Sequence, residues 1–556
     1  MKPAGGTRAV PGSGPDPRSA RVDPRSARMD PRSARVPRGS TRRTALALGV
    51  AAFLLFALSG GGRVAGSDEV TMLELSRALL RGSIAVPEGA TLAGPDGRHY
   101  TKNAAGQAVL ALPVVALAEA GAGALRLAPA RRDLAVRFGV SFFDALVTAL
   151  LLALLYGGAR ALGAGTGAAL GAAAMLGFTT PTWIYAKSFM AEPLQALGLL
   201  LALLGAALAP GEVLPGRRRR HALAAGLGVL LAVSVKLTML PLALACLVPM
   251  LGAPARAWLA PALGLALALA GHAGYNLARF GTLLETGYGA QASAAAFTTP
   301  ALVGLYGLLL SSGKGVAWFA PALWLAPRGW WAATRRAGRH RAHWGESTPA
   351  GRAAWGALAV WLTGLALYCR FQHWAGDGSF GPRYLVPLLP AGFLLVAFAL
   401  HRASRALRRA AAVLGLLGLV VTLGGVGIYF GAQMREAGDY PYTRPLEDPR
   451  FMSDSHFNPR YSPIAGHWAM LVRNAGEHLR GERPRLTGAG VPDARLGLGA
   501  ADQAALLRGL DFWWAYALYA GLPAGLLLPA ALALAALTLA GWLGLWAAWR
   551  AEARAG

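Results

Sequence analysis

Cysteine and acidic residues are scarce in this chain. Only two cysteines occur among 556 residues, Cys246 and Cys369, and both lie in or beside apolar stretches, which excludes a disulfide framework and a cysteine-based metal site. Asp and Glu together number 27, against 54 Lys and Arg. The GxxxxGK[ST], GxSxG and HExxH patterns are also missing, so ATP-driven, serine-hydrolase and zincin chemistry lose support.

Charged residues of both signs are few, and long apolar runs take their place. Charged residues make up 15% of the chain and hydrophobic ones 55%, with a mean hydropathy of +0.42. The apolar residues gather in runs of about 15 to 22 residues, which must cross lipid as helices because the backbone has no other hydrogen-bonding partner there. The sequence therefore predicts an all-α polytopic membrane protein. The net charge of +27 lies largely between these runs, where membrane topology explains it better than nucleic-acid binding.

Four regions follow from composition. Residues 1–43 contain three copies of a proline-bearing unit, DPRSARV or DPRSARM, and are predicted to be a disordered, basic cytoplasmic tail. Residues 44–430 form the predicted transmembrane catalytic core, 431–521 an extracytoplasmic loop segment, and 522–556 the final transmembrane helix with a cytoplasmic tail.

About twelve transmembrane helices are predicted. They lie near 44–59, 138–158, 164–181, 191–209, 221–235, 237–252, 257–275, 314–327, 353–369, 384–400, 410–430 and 522–548. Arginine clusters such as Arg217–His221 are placed in the cytoplasm, since positive loops stay inside. Residues 104–125 are interpreted as a juxtamembrane or re-entrant helix, because a full span there would reverse every later loop.

Under this topology the polar residues collect on the outer face, starting with Asp68 and Glu69 after the first span. Neighbouring side chains on a helix diverge by about 100°, so only one of the two acids can face a given site. The apolar residues that follow predict a helix on the membrane surface with the acids near its N-terminus. A purely structural alternative is that Asp68 caps this helix.

Ionisable groups also recur at the ends of predicted spans. This set comprises Lys102, Lys187, Glu192, Lys236, Glu285, Lys314, Asp377 and Arg383. Such groups are costly near lipid unless they are paired or used, although snorkelling accounts for single lysines. Together they predict an outward cavity for an anionic group, most simply phosphate. Arg383 precedes a span whose prolines should unwind its start.

Two histidines and an arginine lie in the stretch SDSHFNPRYSPIAGHW. His456, Arg460 and His467 lack a third close ligand and a tight spacing, so no zinc site is expected. They are interpreted as hydrogen-bonding residues of a lid.

The order of the outer motifs resembles a known family. SDE is followed by DGRHYTKNAAGQAVLALP, TTPTWIYAKSFMAEP, YNLARFGTLLETGYG, SSGKGVAWFAP and FGPRYLVPLLP. This series is similar to the GT-C superfamily of polyprenyl-phosphate-dependent glycosyltransferases, in particular bacterial members related to protein mannosyltransferases and lipid A aminoarabinose transferases. The likeness runs from about residue 40 to 401 and returns weakly at RYSPIAGHW and DFWWAYALYAG. TKNAAGQ departs from the proline-rich turn of many relatives.

The resemblance implies a fold and a reaction. An acceptor hydroxyl would attack the anomeric carbon of a polyprenyl-phosphate-linked sugar with inversion, on the extracytoplasmic face of a bacterial inner membrane. The catalytic candidates are Asp68, as the base, and Glu69 beside it. The substrate-binding candidates are Lys102, Lys187, Glu192, Lys314, Asp377, Arg383, His456 and Arg460.

The expected partners are the lipid-linked donor, membrane lipid and an acceptor that is a glycan, a lipid or a protein; nucleic acid is not among them. These residues make no cofactor certain, and the scattered carboxylates leave open whether a divalent cation takes part. Two other functions compete: a transporter or flippase for a lipid-linked or anionic substrate, and a non-catalytic membrane scaffold. The halves of the chain show no inverted repeat, which favours the enzyme over the transporter.

Overall fold

The structure is a computed structural model of the chain. It describes residues 38–89, 91–335, 348–376, 378–437, 456–486 and 505–555. Most of the predicted basic tail and a large part of the predicted 431–521 segment lie outside these residues. The first helix begins at Arg38, so the prediction of a disordered tail was wrong for residues 38–43. Its first turn is tied to the last helix, because the Thr41 hydroxyl donates to Glu552 Oε1 at 2.7 Å.

Most of the described residues are helical. The α-helices are α1 (Arg38–Ser59), α2 (Ser67–Leu80), α3 (Gly106–Ala124), α4 (Pro129–Val140), α5 (Phe143–Ala161), α6 (Thr166–Phe178), α7 (Thr182–Tyr185), α8 (Glu192–Leu208), α9 (Pro215–Val235), α10 (Leu240–Ala245), α11 (Ala255–Phe280), α12 (Ala301–Leu310), α13 (Val316–Phe319), α14 (Ala326–Arg335), α15 (Pro349–Tyr368), α16 (Leu389–Leu400), α17 (Arg405–Gly427), α18 (Phe430–Glu436), α19 (Pro463–Leu479), α20 (Trp513–Tyr519) and α21 (Ala524–Ala555).

Short 3₁₀ helices and one small sheet complete the secondary structure. The 3₁₀ helices are Leu237–Met239, Val248–Met250, Gly289–Ala292, Ala294–Ala296, Pro321–Leu325, Arg383–Leu388, Pro459–Tyr461 and Leu506–Arg508. The strands β1 (Leu92–Ala93) and β2 (His99–Tyr100) pair antiparallel, with Leu92 opposite Tyr100.

Eight helical stretches in the described residues are long and apolar enough to cross a membrane. They are Gly39–Ser59, Gly106–Ala124, Arg131–Ala161, Ala255–Phe280, Pro349–Tyr368, Arg383–Leu400, Arg405–Gly427 and Ala524–Ala555, and four shorter apolar helices are Thr166–Phe178, Glu192–Leu208, Leu237–Met250 and Ala301–Leu310. The predicted all-α polytopic membrane fold is confirmed. Gly106–Ala124 is long enough to span, so its juxtamembrane placement stays a prediction.

Prolines break two of the predicted spans. The predicted continuous span 314–327 was wrong, because the chain forms two short helices there, α13 and Pro321–Leu325, separated by the non-helical Ala320. The proline ring at 321 fixes its own backbone and restricts the residue before it. The start of the span at Arg383 is a 3₁₀ helix that becomes α-helical only at Leu389, which confirms the predicted unwinding.

Helix α2 was expected to lie on the membrane surface, and its position relative to a membrane stays a prediction. Its apolar residues are covered by protein, since Val70, Met72 and Leu73 pack in one cluster with Val115 of α3 and Val136 of α4. Because α3 and α4 supply apolar surface, the helix buries this face against them. The packing holds the first turn of α2, and with it Asp68, at a fixed position.

Candidate functional site

Arg383 lies between two carboxylates that come from distant parts of the chain. Its Nε is 2.6 Å from Glu192 Oε1, and its Nη2 is 3.0 Å from Asp68 Oδ2. The side chains of Glu192 and Arg383 are 2% and 14% exposed, whereas that of Asp68 keeps 26% exposure. Each residue lies at the start of a helix, so three helix starts meet at this point.

A glycine allows the arginine to reach this position. Gly376 has a φ of +73°, and a Cβ on it would lie 2.7 Å from the Cβ of Arg383. A side chain here would therefore be strained by the backbone and would collide with the arginine.

The charge of Asp68 is set by the cations around it. Burial alone would raise the pKa of the Asp68 carboxyl, but the positive charges of Arg383, Lys102 and Lys236 outweigh this effect and lower the pKa below its ordinary value. Asp68 is therefore ionised at neutral pH, and it accepts hydrogen bonds but donates none.

Two lysines flank this group, each held against an aromatic ring. Lys102 Nζ lies 5.6 Å from the centre of the Tyr288 ring, and Lys236 Nζ lies 5.3 Å from that of Tyr384. Within the part of the chain that the structure describes, neither ammonium group has a hydrogen-bond acceptor or a carboxylate at ion-pair distance.

Tyr288 links Lys102 to helix α2. Its hydroxyl donates to Asn103 Oδ1 at 3.1 Å, and Asn103 Nδ2 donates to Thr71 Oγ1 at 3.1 Å. Burial, and then the negative charge of Asp68, raise the pKa of Tyr288, so its hydroxyl keeps its proton. These bonds fix the loop that follows α11 over the start of α2.

Glu69 is engaged by the backbone. Its Oε2 accepts from the N–H groups of Ala65 and Gly66, and its Oε1 accepts from the Phe189 N–H at 2.7 Å. Glu69 is 5% exposed, so both oxygens are occupied inside the protein. The side chain holds the first outer loop against the loop before α8.

Lys187 belongs to a second cluster. Its Nζ donates to the carbonyl oxygens of Val426 and Asp511, the latter at 2.8 Å, and lies 3.4 Å from Asp511 Oδ2. Arg63 pairs with Asp511 Oδ1 and lies on the Tyr429 ring at 4.0 Å. Burial alone would raise the pKa of Asp511, but Arg63 and Lys187 outweigh it and lower the pKa.

The remaining predicted residues lie elsewhere. The Lys314 ammonium group donates to Ser379 O and Oγ at 2.7 and 3.1 Å. Burial, and then the charge of Lys314, lower the pKa of His456 well below its ordinary value, so this imidazole is neutral. Arg460 is exposed, and Asp377 lies outside the described residues.

The structure thus brings together four of the predicted residues, Asp68, Glu192, Arg383 and Lys102, and adds Lys236. The sequence identified Lys236 only as a charge at a span end, and its contact with Tyr384 of the FGPRY motif, which only the structure shows, adds it to the site. Among the described residues, no group of three or more His, Cys, Asp or Glu could hold a metal ion.

Comparisons with known proteins give a distant likeness. No protein-family model and no curated protein matches the chain. A crystal structure of ArnT from Cupriavidus metallidurans bound to undecaprenyl phosphate is 17% identical, with 84% of this chain and 76% of that chain covered and a TM-score of 0.44. For the same protein in the apo state the identity is 17%, the coverage 83% and 73%, and the TM-score 0.41. No activity follows from either likeness at this identity and TM-score.

Proposed function

We propose that this protein is a membrane glycosyltransferase of the GT-C type, which moves a sugar from a polyprenyl-phosphate donor to an acceptor hydroxyl. The observation that carries the proposal is the ion pair between Arg383 and Asp68, whose carboxylate is ionised and partly exposed. Two lysines, Lys102 and Lys236, lie beside this pair, and neither has a hydrogen-bond acceptor among the described residues. A proton acceptor and a cationic group for phosphate thus share one site. The order of the outer motifs, which is similar to that of the GT-C superfamily, supplies the substrate class.

The charges of the site favour an anion. Arg383, Lys102 and Lys236 carry three positive charges, against two negative charges on Asp68 and Glu192, so one positive charge is left over. Buried charge is costly without a partner. A phosphate would supply that partner, and it would accept charge-assisted hydrogen bonds from the lysines and the guanidinium.

Asp68 is the proposed general base. The acceptor oxygen forms a bond to the anomeric carbon while the bond from that carbon to the phosphate oxygen breaks, and the bonding electron pair stays on the phosphate. The acceptor proton passes to Asp68 Oδ1 or Oδ2, a transfer that requires hydrogen-bond contact with the hydroxyl. The three cations stabilise the negative charge that develops on the leaving phosphate.

The other candidates take different roles in this proposal. Glu69 and Lys187 bond within the protein and support the site without touching the substrate, and Lys314 does the same for the loop at Ser379. His456 is neutral and buried, and Arg460 is exposed, so neither contributes to phosphate binding here. The active site is proposed to face the periplasm or exterior from a bacterial inner membrane, with a glycan, lipid or protein as acceptor.

The experiment is transfer of radiolabelled sugar from a panel of polyprenyl-phosphate donors, in membranes that carry the native chain or Asp68→Asn. We expect incorporation with the native chain and a loss of at least about 100-fold in the variant, in the range typical of a general base. Glu74→Gln is the matched control, because Glu74 lies on the same helix and bonds Arg77 instead of Arg383.

Two results would contradict the proposal. Equal transfer by the native chain and Asp68→Asn would remove Asp68 from the chemistry. No transfer from any donor by a folded native chain would favour the transporter or scaffold function.

A further inference from the structure

A segment from the C-terminal part of the chain reaches the first outer loop. The Trp513 N–H donates to the Gly60 carbonyl at 2.7 Å, and the Asp511 N–H donates to the Gly427 carbonyl at 2.8 Å. A Cβ on Gly61 would lie 2.9 Å from Asp511 Oδ1, so the two stretches approach closely. The segment therefore lies against the residues that lead from α1 into α2.

The Asp511 carboxylate joins the two loops that flank Asp68. Oδ1 pairs with Arg63, in the loop before α2, and Oδ2 pairs with Lys187, in the loop before α8. The side chains of Asp511, Arg63 and Lys187 are 12%, 11% and 3% exposed. Because the group is shielded from water, its attractions are strong and are little screened by salt.

The contacts continue from Lys187 toward the proposed base. Two residues after Lys187, the Phe189 N–H donates to Glu69 Oε1 at 2.7 Å and the Phe189 carbonyl accepts from Gln107 Nε2 at 2.8 Å. Glu69 is the neighbour of Asp68 and also binds the N–H groups of Ala65 and Gly66. A small pocket lies in this region, and Arg63, Glu69, Lys187 and Asp511 are part of its wall.

We infer that Asp511 is a positioning residue for Asp68: by binding Arg63 and Lys187 at once, it fixes both loops to which Glu69 is bonded and so keeps Asp68 beside Arg383. The inference rests on the proposed function. Asp511 lies more than 400 positions from Asp68 in the sequence. In this inference it affects the reaction without contacting the substrate.

The first test is the pH dependence of transfer. If Asp68 moves away from Arg383, it loses the charge that lowers its pKa most, while Lys102 and Lys236 remain near it and Glu192 remains bonded to Arg383. We expect the acidic limb of the kcat profile of Asp511→Asn to move upward by about one pH unit. We expect Asp511→Glu, which keeps the carboxylate, to recover at least half of that shift.

A matched control is Glu552→Gln. Glu552 is also buried and paired, with Arg160 Nε at 2.9 Å, but it bonds the first turn of α1 instead of the loop after its end. A general loss of folded protein lowers the transfer rate at every pH by the same factor and leaves the pH of the acidic limb unchanged. A shift of equal size in Glu552→Gln, or an unmoved limb in Asp511→Asn, would overturn the inference.

Amide hydrogen exchange separates this inference from the proposed function. We expect peptides that contain the Gly66 and Phe189 amides to exchange about ten-fold faster in Asp511→Asn than in the native chain, and at the native rate in Glu552→Gln. If the native chain transfers no sugar, the proposed function fails. The exchange measurement then still tests whether Asp511 fixes the loops that contain Gly66 and Phe189. Native exchange at both amides in Asp511→Asn would show that Asp511 does not hold these loops.

Discussion

Replacing Lys236 with methionine should weaken the contact with the phosphate of the donor and of the lipid product. The Lys236 ammonium group lies 5.3 Å from the centre of the Tyr384 ring, and in the described part of the chain it has no hydrogen-bond or ion-pair acceptor. A phosphate oxygen would provide one. Methionine preserves the length and the apolar contacts of the side chain and removes only the charge and its donors.

The size of the effect follows from the strength of a charge-assisted hydrogen bond, about 1.5–3 kcal/mol. Since about 1.4 kcal/mol corresponds to a factor of ten, kcat/KM for the donor should fall about 10- to 100-fold. The donor is a phosphodiester with a single negative charge, whereas the released monoester carries about −1.5 to −2 at pH 7. Product inhibition by polyprenyl phosphate should therefore weaken at least as much as kcat/KM falls.

Initial rates of transfer against donor concentration, with and without added polyprenyl phosphate, measure both quantities. Arg98→Met is the matched control, because the Arg98 side chain is 69% exposed and pairs only with Asp96 among the described residues. A fall in kcat/KM with unchanged inhibition by polyprenyl phosphate would refute the phosphate contact, since the product presents the same phosphate to Lys236. An equal effect in Arg98→Met would point to a general surface-charge effect.

Two further predictions concern the carboxylates. Arg383→Gln should destabilise the protein by about 3 kcal/mol, because it leaves the buried Glu192 carboxylate without its ion-pair partner. Glu192→Gln should cost less, because Arg383 keeps its ion pair with Asp68. The double variant should cost about 1–3 kcal/mol less than the sum of the two single variants. Detergent unfolding of the native chain and the three variants measures this, and additive effects would mean that the pair does not interact. The pKa values of Asp68 and Asp511 are lowered in the folded protein. Their ionised carboxylates therefore stabilise the fold above the ordinary carboxyl pKa near 4. This stabilisation is lost as the pH falls through the pKa values of the folded protein. Melting temperature between pH 6 and about pH 3 should drop less steeply in Asp511→Asn than in the native chain, and parallel curves would exclude an Asp511 contribution.

The sequence placed Asp68, Glu192 and Arg383 among the site candidates but did not predict that they pair. Membrane spans bring their ends to one level, so charges beside successive spans become neighbours even when they are far apart in the chain. Asp68, Glu192 and Arg383 follow this rule, and the prolines after Arg383 correctly predicted the 3₁₀ start of its span. These features depend on local patterns, which a single sequence contains.

The choice of partners could not be predicted in the same way. Lys187 was expected to bind phosphate, but it is bonded to Asp511, 324 residues away. The sequence does not indicate which cation pairs with the Asp511 carboxylate. The choice between Asp68 and Glu69 was equally hidden. Helical geometry requires the two to diverge, yet it is the backbone of Ala65, Gly66 and Phe189 that occupies Glu69 and leaves Asp68 to the site.

In the proposed reaction, the bonding of Arg383 allows one side chain to contact both the proposed base and the leaving phosphate. A guanidinium has five N–H donors, and Glu192 and Asp68 each take one, so further donors remain for a phosphate without loss of either pair. Once a phosphate binds, its negative charge offsets part of the positive charge that lowers the pKa of Asp68. The proposed base therefore becomes more basic when the donor is bound, and the increase comes from the same cations that will stabilise the departing phosphate.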